Sequence, residues 1–266
     1  MVGLEVTGGY ETVVAASLSA AHFPLAVVNP AQVRSFAKAL GKRAKTDPID
    51  ADAIAHFIEA TKPAVRPLPD EATRALSDLV GRRGQIIAMI IAEQHRKQRR
   101  SNKRLLKSIE RLLKALQKEL SDIDGLIRDA VQASPLWREK DQLLESVPGI
   151  GPQIATRMIA ELPELGALSR RQIAALAGLA PWTRQSGNWK GRSFIGGGRA
   201  SVRGALFMGA MVAMKRNPVL KAFYERLLAA GKPKMVAMIA LARKLLTILN
   251  AILRDRKPWS AEDAHA

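Results

Sequence analysis

The sequence predicts an α/β layer at the N-terminus, then a long helical coiled-coil hairpin, then an all-α C-terminal domain carrying a helix-hairpin-helix. Three observations predict this. Strand-like and helix-like segments alternate at the start of the chain, apolar residues keep helical spacing without a proline from 70 to 132, and the segments beyond 140 are helical in period. The corresponding domains are 1–69, 70–134 and 135–266.

In the first domain, 2–6 reads as a strand running into the Gly8-Gly9 turn, and 11–20 as a helix. Residues 25–28 read as a short buried strand ended by Asn29-Pro30. Two more helices follow, over 31–40 and 48–60. Alternation of this kind implies a parallel sheet. Two strands are too few for a stable sheet, so the sheet is expected to be incomplete and the fold to begin partway through. In the second domain, apolar positions from Leu76 to Leu120 recur at helical spacing, with Gly81 and Gly84 weakening the first part. In the third, 142–147 and 153–161 flank Pro148-Gly149-Ile150-Gly151, and further helices are predicted over 170–178, 202–215 and 235–253.

Charge divides the chain unevenly. Its 266 residues carry a net +18, yet residues 1–70 hold seven Lys/Arg and seven Asp/Glu, so all the excess lies beyond them. Such a field favours a polyanion, usually nucleic acid. An anionic membrane surface competes, but no lipidation signal or isolated basic amphipathic segment supports it. The hairpin concentrates the charge. Residues 81–118 hold twelve basic and two acidic residues, including Arg96-Lys97-Gln98-Arg99-Arg100 and then Lys103 and Arg104. This is either a solvated helix face or a track for nucleic acid. Between Leu165 and Tyr224 there is no carboxylate, against ten Lys/Arg. The lack of cysteine excludes disulfides, thiolate zinc sites and Cys nucleophiles, and the four histidines are scattered. No unbroken apolar run approaches the ~18 residues that span a bilayer, and no signal peptide is apparent. A cytoplasmic protein without a membrane partner is expected.

Three constellations carry chemistry, each with a plainer alternative. Glu5 lies in an otherwise apolar strand, where an acid is costly unless paired or metal-bound. With Asp47 and Asp50 it forms a candidate site for Mg²⁺ or Mn²⁺, hard cations that take oxygen ligands. In the plainer reading Asp47 caps the helix ahead of Pro48, and Asp50 complements the helix dipole. Gly149 and Gly151 let backbone N–H groups approach a phosphate at a helix start, or simply make a helix–helix turn. The third is the run Trp182-Thr183-Arg184-Gln185-Ser186-Gly187-Asn188-Trp189-Lys190-Gly191-Arg192. Ser186 is either a nucleophile in a loop, with Arg184, Lys190 and Arg192 to stabilise charge on a phosphate, or a Ser-Gly turn. Trp182 and Trp189 offer base-stacking faces or core packing.

Taken in order, these motifs resemble the DEDD insertion-sequence transposases, which combine a RuvC-like (RNase H-like) nuclease domain, a coiled coil and a C-terminal transposase domain bearing a serine. Leu4-Glu5-Val6-Thr7-Gly8-Gly9-Tyr10 is similar to the strand bearing that family's Glu. Lys45-Thr46-Asp47-Pro48-Ile49-Asp50-Ala51 is similar to the segment bearing its last two Asp. Residues 147–151 resemble the hairpin of its C-terminal domain. Gln185-Ser186-Gly187, followed by 196–203 with Arg199 and Arg203, resembles its serine segment. The resemblance implies a recombinase that cleaves and exchanges DNA strands. Its catalytic residues would be Ser186, Glu5, Asp47 and Asp50, in a composite site between subunits of a dimer or tetramer. It also implies a covalent serine–DNA intermediate, Mg²⁺ or Mn²⁺, and a structured non-coding RNA as guide. The family's first acid lies on an earlier strand, so this chain is expected to lack it and to be N-terminally truncated, which makes an inactive copy one reading. A RuvC-like metal nuclease that cuts by water attack, and a non-catalytic nucleic-acid-binding remnant, stand as alternatives.

Overall fold

The computed structural model describes residues 1–261 except Thr7, Arg43, Lys45, Ala64, Arg66, Pro67, Pro69 and Arg100, and except the side chain of Lys190. The chain divides into two compact units, Met1–Glu71 and Ala72–Ala266.

In the first unit, strand β1 (Val2–Glu5) leads to helix α1 (Glu11–Ala20), strand β2 (Leu25–Val28), helix α2 (Pro30–Ala39) and helix α3 (Asp47–Thr61). The strands pair in parallel, Val2 beside Leu25 through Glu5 beside Val28. Asn29 starts α2 by accepting the Ala31 N–H at 2.8 Å, with Pro30 in the first helical position. Ala26, Val28, Val33, Ala37 and Ala53 form a small core, and Ile54, Phe57 and Ile58 pack against it. Phe36 meets Phe57 edge-on, with ring centroids 5.6 Å apart. Helix α3 crosses β1 so closely that a Cβ on Gly3 would lie 1.8 Å from Ile58 Cδ1. That approach is why the strand carries no side chain there.

The start of α3 corrects one expectation. Asp47 is not the N-cap. Thr46 holds that place, its side chain makes no capping bond, and Asp47 already lies in the first helical turn with Asp50.

The second unit opens with two long helices, α4 (Glu71–Gln98) and α5 (Lys103–Ala133). Asn102 caps α5, accepting from the N–H groups of Arg104 and Leu105. Ion pairs link Arg83 to Asp124 at 2.6 Å and Lys97 to Glu110 at 2.8 Å. Helices α6 (Pro135–Glu145), α7 (Pro152–Glu161), α8 (Arg170–Leu176), α9 (Ala200–Arg216), α10 (Pro218–Ala229) and α11 (Lys234–Asp255) complete the unit with a short ribbon, β3 (Gln185–Ser186) and β4 (Trp189–Lys190). The third domain is therefore not purely helical, and Ser186 lies on a strand rather than in a loop. Two further elements go beyond the expectation: α6 starts seven residues before 142, and α10 follows the Asn217-Pro218 cap.

Helix α11 is the axle of the unit. It is long and apolar enough, by composition, to cross a bilayer, but Leu241, Leu245, Leu246 and Leu249 are fully buried within the fold. They pack in one core with Leu206 and Ala210 of α9, Met158 of α7 and Ile173 of α8. Buried Asn250 is satisfied on both sides, accepting the Gly166 N–H at 2.9 Å and donating to the Leu168 carbonyl at 2.9 Å.

Candidate functional site

The acids of the first unit come from two elements. Glu5 ends β1 and is half-buried, while Asp47 is exposed and Asp50 half-buried in the first turn of α3. Asp52, two residues beyond Asp50, is taken up by Lys42 and lies near His56. No three acids or histidines among the described residues converge as a metal would require. Glu5, Asp47 and Asp50 therefore do not fit a divalent ion in this arrangement.

The second unit shows which basic residues are already engaged. Glu93 and Glu110, the only acids in the basic hairpin stretch, pair with Arg96 and Lys97. Arg99, Lys103 and Arg104 are exposed, and Arg100 lies outside the described residues. Arg199 grips both oxygens of Glu164, at 2.5 and 2.7 Å, and its N–H bonds to the Leu176 carbonyl. Arg203 donates to the Gly197 carbonyl at 2.6 Å. Both arginines thus clamp the glycine segment 196–198 to the end of α8, which accounts for them without a phosphate. Gly198 has φ +58°, and a Cβ there would lie 2.4 Å from the Gly178 nitrogen, so two backbones touch at this clamp.

The turn between α6 and α7 separates its two glycines. Gly149 has φ +114°, and a Cβ there would come within 2.7 Å of the Ala213 backbone, so α9 packing explains it. Gly151 begins α7 with open space beside it and no side-chain cap.

Ser186 stands on an exposed ribbon. The two-residue connection Gly187-Asn188, with Gly187 at φ +55°, sets Ser186 opposite Trp189 and Gln185 opposite Lys190. Farther down, Gly191 N–H bonds to the Arg184 carbonyl at 3.1 Å, Thr183 meets Ser193 at 3.0 Å, and Trp182 and Phe194 exchange both backbone bonds at 2.8 and 3.0 Å. Between Arg184–Gly191 and Thr183–Ser193 one residue is surplus. That residue is Arg192, the extra residue of a β-bulge. Ser186, Arg184 and Arg192 are all exposed. Trp182, Trp189 and Phe194 are 55%, 60% and 61% exposed, so they do not pack a core. Sequence reasoning missed Phe194 and the bulge. The Gly-Asn connection between alternating residues was the available signal for the hairpin.

A separate cavity of about 380 Å³ lies along α11, lined in part by Arg170, Lys244, Asn250 and Trp259. Burial, and then the charges of Arg170 and Arg226, hold the Lys244 amine below its usual range.

Residues 141–225, which span the ribbon and the clamp, match the profile of the IS116/IS110/IS902 transposase family. Residues 1–109 match a DEDD transposase profile of IS110 type. The chain belongs to the IS110/IS116/IS902 transposase family. As such a transposase it is similar over 262 residues to the pilin gene-inverting protein of Moraxella bovis, at 30% identity, covering 96% of this chain and 80% of that one. An uncharacterized 43.6 kDa protein of insertion element IS110 from Streptomyces coelicolor is 29% identical over 143 residues, covering 53% of this chain and 34% of the other. The putative transposase of the IS117 mini-circle from the same organism is 30% identical over 129 residues, covering 47% and 31%. Transposases act on DNA, and divalent metal use is usual for the DEDD domain.

Proposed function

We propose that this transposase cleaves and exchanges the DNA strands of an insertion sequence through a covalent bond to Ser186. The observation that carries this reading is the exposure of Ser186 on a ribbon that also exposes Arg184 and Arg192, inside sixty residues without one carboxylate. The Moraxella bovis relative is a pilin gene-inverting protein by name, which agrees with strand exchange. In the proposed step the Ser186 hydroxyl oxygen bonds to phosphorus, and the bond from phosphorus to the deoxyribose oxygen breaks. The serine proton passes to solvent and the departing strand oxygen gains one. A strand hydroxyl reverses the exchange, restoring the phosphodiester and the serine with no external energy source. Arg184 and Arg192 would stabilise the charge of the five-coordinate phosphate.

Gly151 at the uncapped start of α7 is our candidate for a backbone contact of a helix-hairpin-helix with DNA. Arg99, Lys103 and Arg104 are our candidates for phosphate contacts along a helical hairpin. A structured guide RNA, a dimer or tetramer, and a cytoplasmic setting complete the proposal by family resemblance. Glu5, Asp47 and Asp50 form no metal-holding group among the described residues, so the proposed step rests on Ser186, Arg184 and Arg192.

The test is a denaturing gel of the protein incubated with element-end DNA and the element's RNA. Ser186→Ala should abolish the covalent adduct while leaving nucleic-acid affinity nearly unchanged, and Arg192→Ala should weaken both. An adduct that survives Ser186→Ala overturns the serine mechanism and favours water attack.

A further inference from the structure

One face of the ribbon collects its three large rings together with Arg184 and Ser186. Residues facing each other across an antiparallel pair lie on the same side, and so do alternate residues along each strand. Trp182 with Phe194, Arg184 with Gly191, and Ser186 with Trp189 therefore share a face. Thr183, Gln185 and Ser193 belong to the other. Gly191 makes room for one of the rings. A Cβ on Gly191 would lie 2.5 Å from Cη2 of Trp189, so that ring folds back over Gly191 toward Arg184. A Cβ on Gly196 would lie 3.5 Å from Cζ2 of Trp182. Trp182, Arg184 and Phe194 line a cavity of about 280 Å³. That is just below the roughly 300–1,000 Å³ typical of small-ligand sites, and so suits one flat ring rather than a larger ligand.

Three large rings left in water on one short ribbon lose the stabilisation that burial would give them. Covered by a protein surface, the same face would bury Arg184 beside them, and the ribbon has no acid to pair it. A strand of unpaired DNA suits all of it. Bases stack on rings whatever their sequence, and the phosphate between two bases meets a cation.

We propose that this face grips unpaired DNA next to the phosphate that Ser186 attacks, with one base on Trp182 and Phe194, another on Trp189, and Arg184 on the phosphate between them. The inference rests on the reading of Ser186 as the DNA nucleophile. It adds that the DNA is opened where it is cut, and that the ribbon tells unpaired from paired strands.

The full chain is titrated, by fluorescence anisotropy, against a labelled oligo(dT), the same length of duplex DNA, and oligo(U). Trp182→Ala and Trp189→Ala should each weaken oligo(dT) binding about 5- to 150-fold and duplex binding much less. Trp182→Phe should recover most of the loss, and Ser186→Ala should bind as the parent does. Both rings are exposed, so thermal melts of the variants should match the parent. Variants that bind oligo(dT) like the parent overturn the proposal, as does an equal loss on duplex DNA. A loss on oligo(U) alone overturns it in favour of RNA. A shift in sedimentation coefficient without a loss of oligo(dT) affinity overturns it in favour of a contact between copies. The adduct assay is separate: if stacking holds and the adduct survives Ser186→Ala, the nucleophile fails and the DNA grip stands.

Discussion

Asp141 lies on α6 with its Oδ1 atom buried and without a partner among the described residues. Burial first, and then the charge of Glu145 one turn on, push its carboxyl up to about 6. An unfolded aspartate titrates near 3.9, so the folded chain binds more protons between about 4 and 6. Stability from this site is therefore highest below pH 4, falls as pH rises through about 6, and stays lowered above it. Asp141→Asn removes the buried charge. It should raise the melting temperature at pH 7.5 and leave it nearly unchanged at pH 4, which paired thermal melts would show; an equal gain at both values would refute the account. Single residues also mark where sequence reading stops. Arg199, Arg203 and Gly149 look in sequence like phosphate contacts. A double ion pair to Glu164, a bond to Gly197 and the backbone of Ala213 engage them, and Glu164 and Ala213 lie far along the chain from the residues they meet.

At the scale of elements, α3 and the ribbon behave differently. The helix was legible because Pro48 follows Asp47 and apolar residues recur behind it, yet its capping was not. Thr46 takes the N-cap place, and the two acids fall inside the first turn. There they complement the helix dipole, a contribution of about 0.3–1 kcal/mol each when exposed. Asp47→Asn should therefore cost no more than about that in a denaturant titration. It should also leave Mg²⁺ affinity unchanged by calorimetry, since Glu5, Asp47 and Asp50 do not converge. A tenfold drop in metal affinity would show that the acids assemble in solution. The ribbon was hidden for another reason. Its strands are two residues each, below the length at which alternation stands out, and a bulge at Arg192 breaks the register.

Across the whole molecule the basic excess is the dominant property. Some of it is internal: Glu93, Glu110 and Glu164 neutralise Arg96, Lys97 and Arg199. Arg99, Lys103, Arg104, Arg184 and Arg192 are exposed. With on the order of 6–10 phosphate contacts, affinity for duplex DNA or structured RNA should fall by about 10³–10⁵ between 50 and 200 mM salt. A filter-binding series that stays flat over that range would remove the polyanion reading.

By itself the sequence determined the parallel pairing of a small α/β layer, the two long helices and the family. Those follow from local period, from prolines and glycines, and from the order of motifs along the chain, all written in neighbouring residues. Only the tertiary structure decided which cations are spent on acids within the fold, that Trp182, Phe194 and Trp189 stand in solvent, and that Ser186 shares a ribbon face with them. Arg96 and Glu93 are one helical turn apart, but the other outcomes depend on pairings between residues farther along the chain or across a bulged hairpin, where one surplus residue changes which side chains meet.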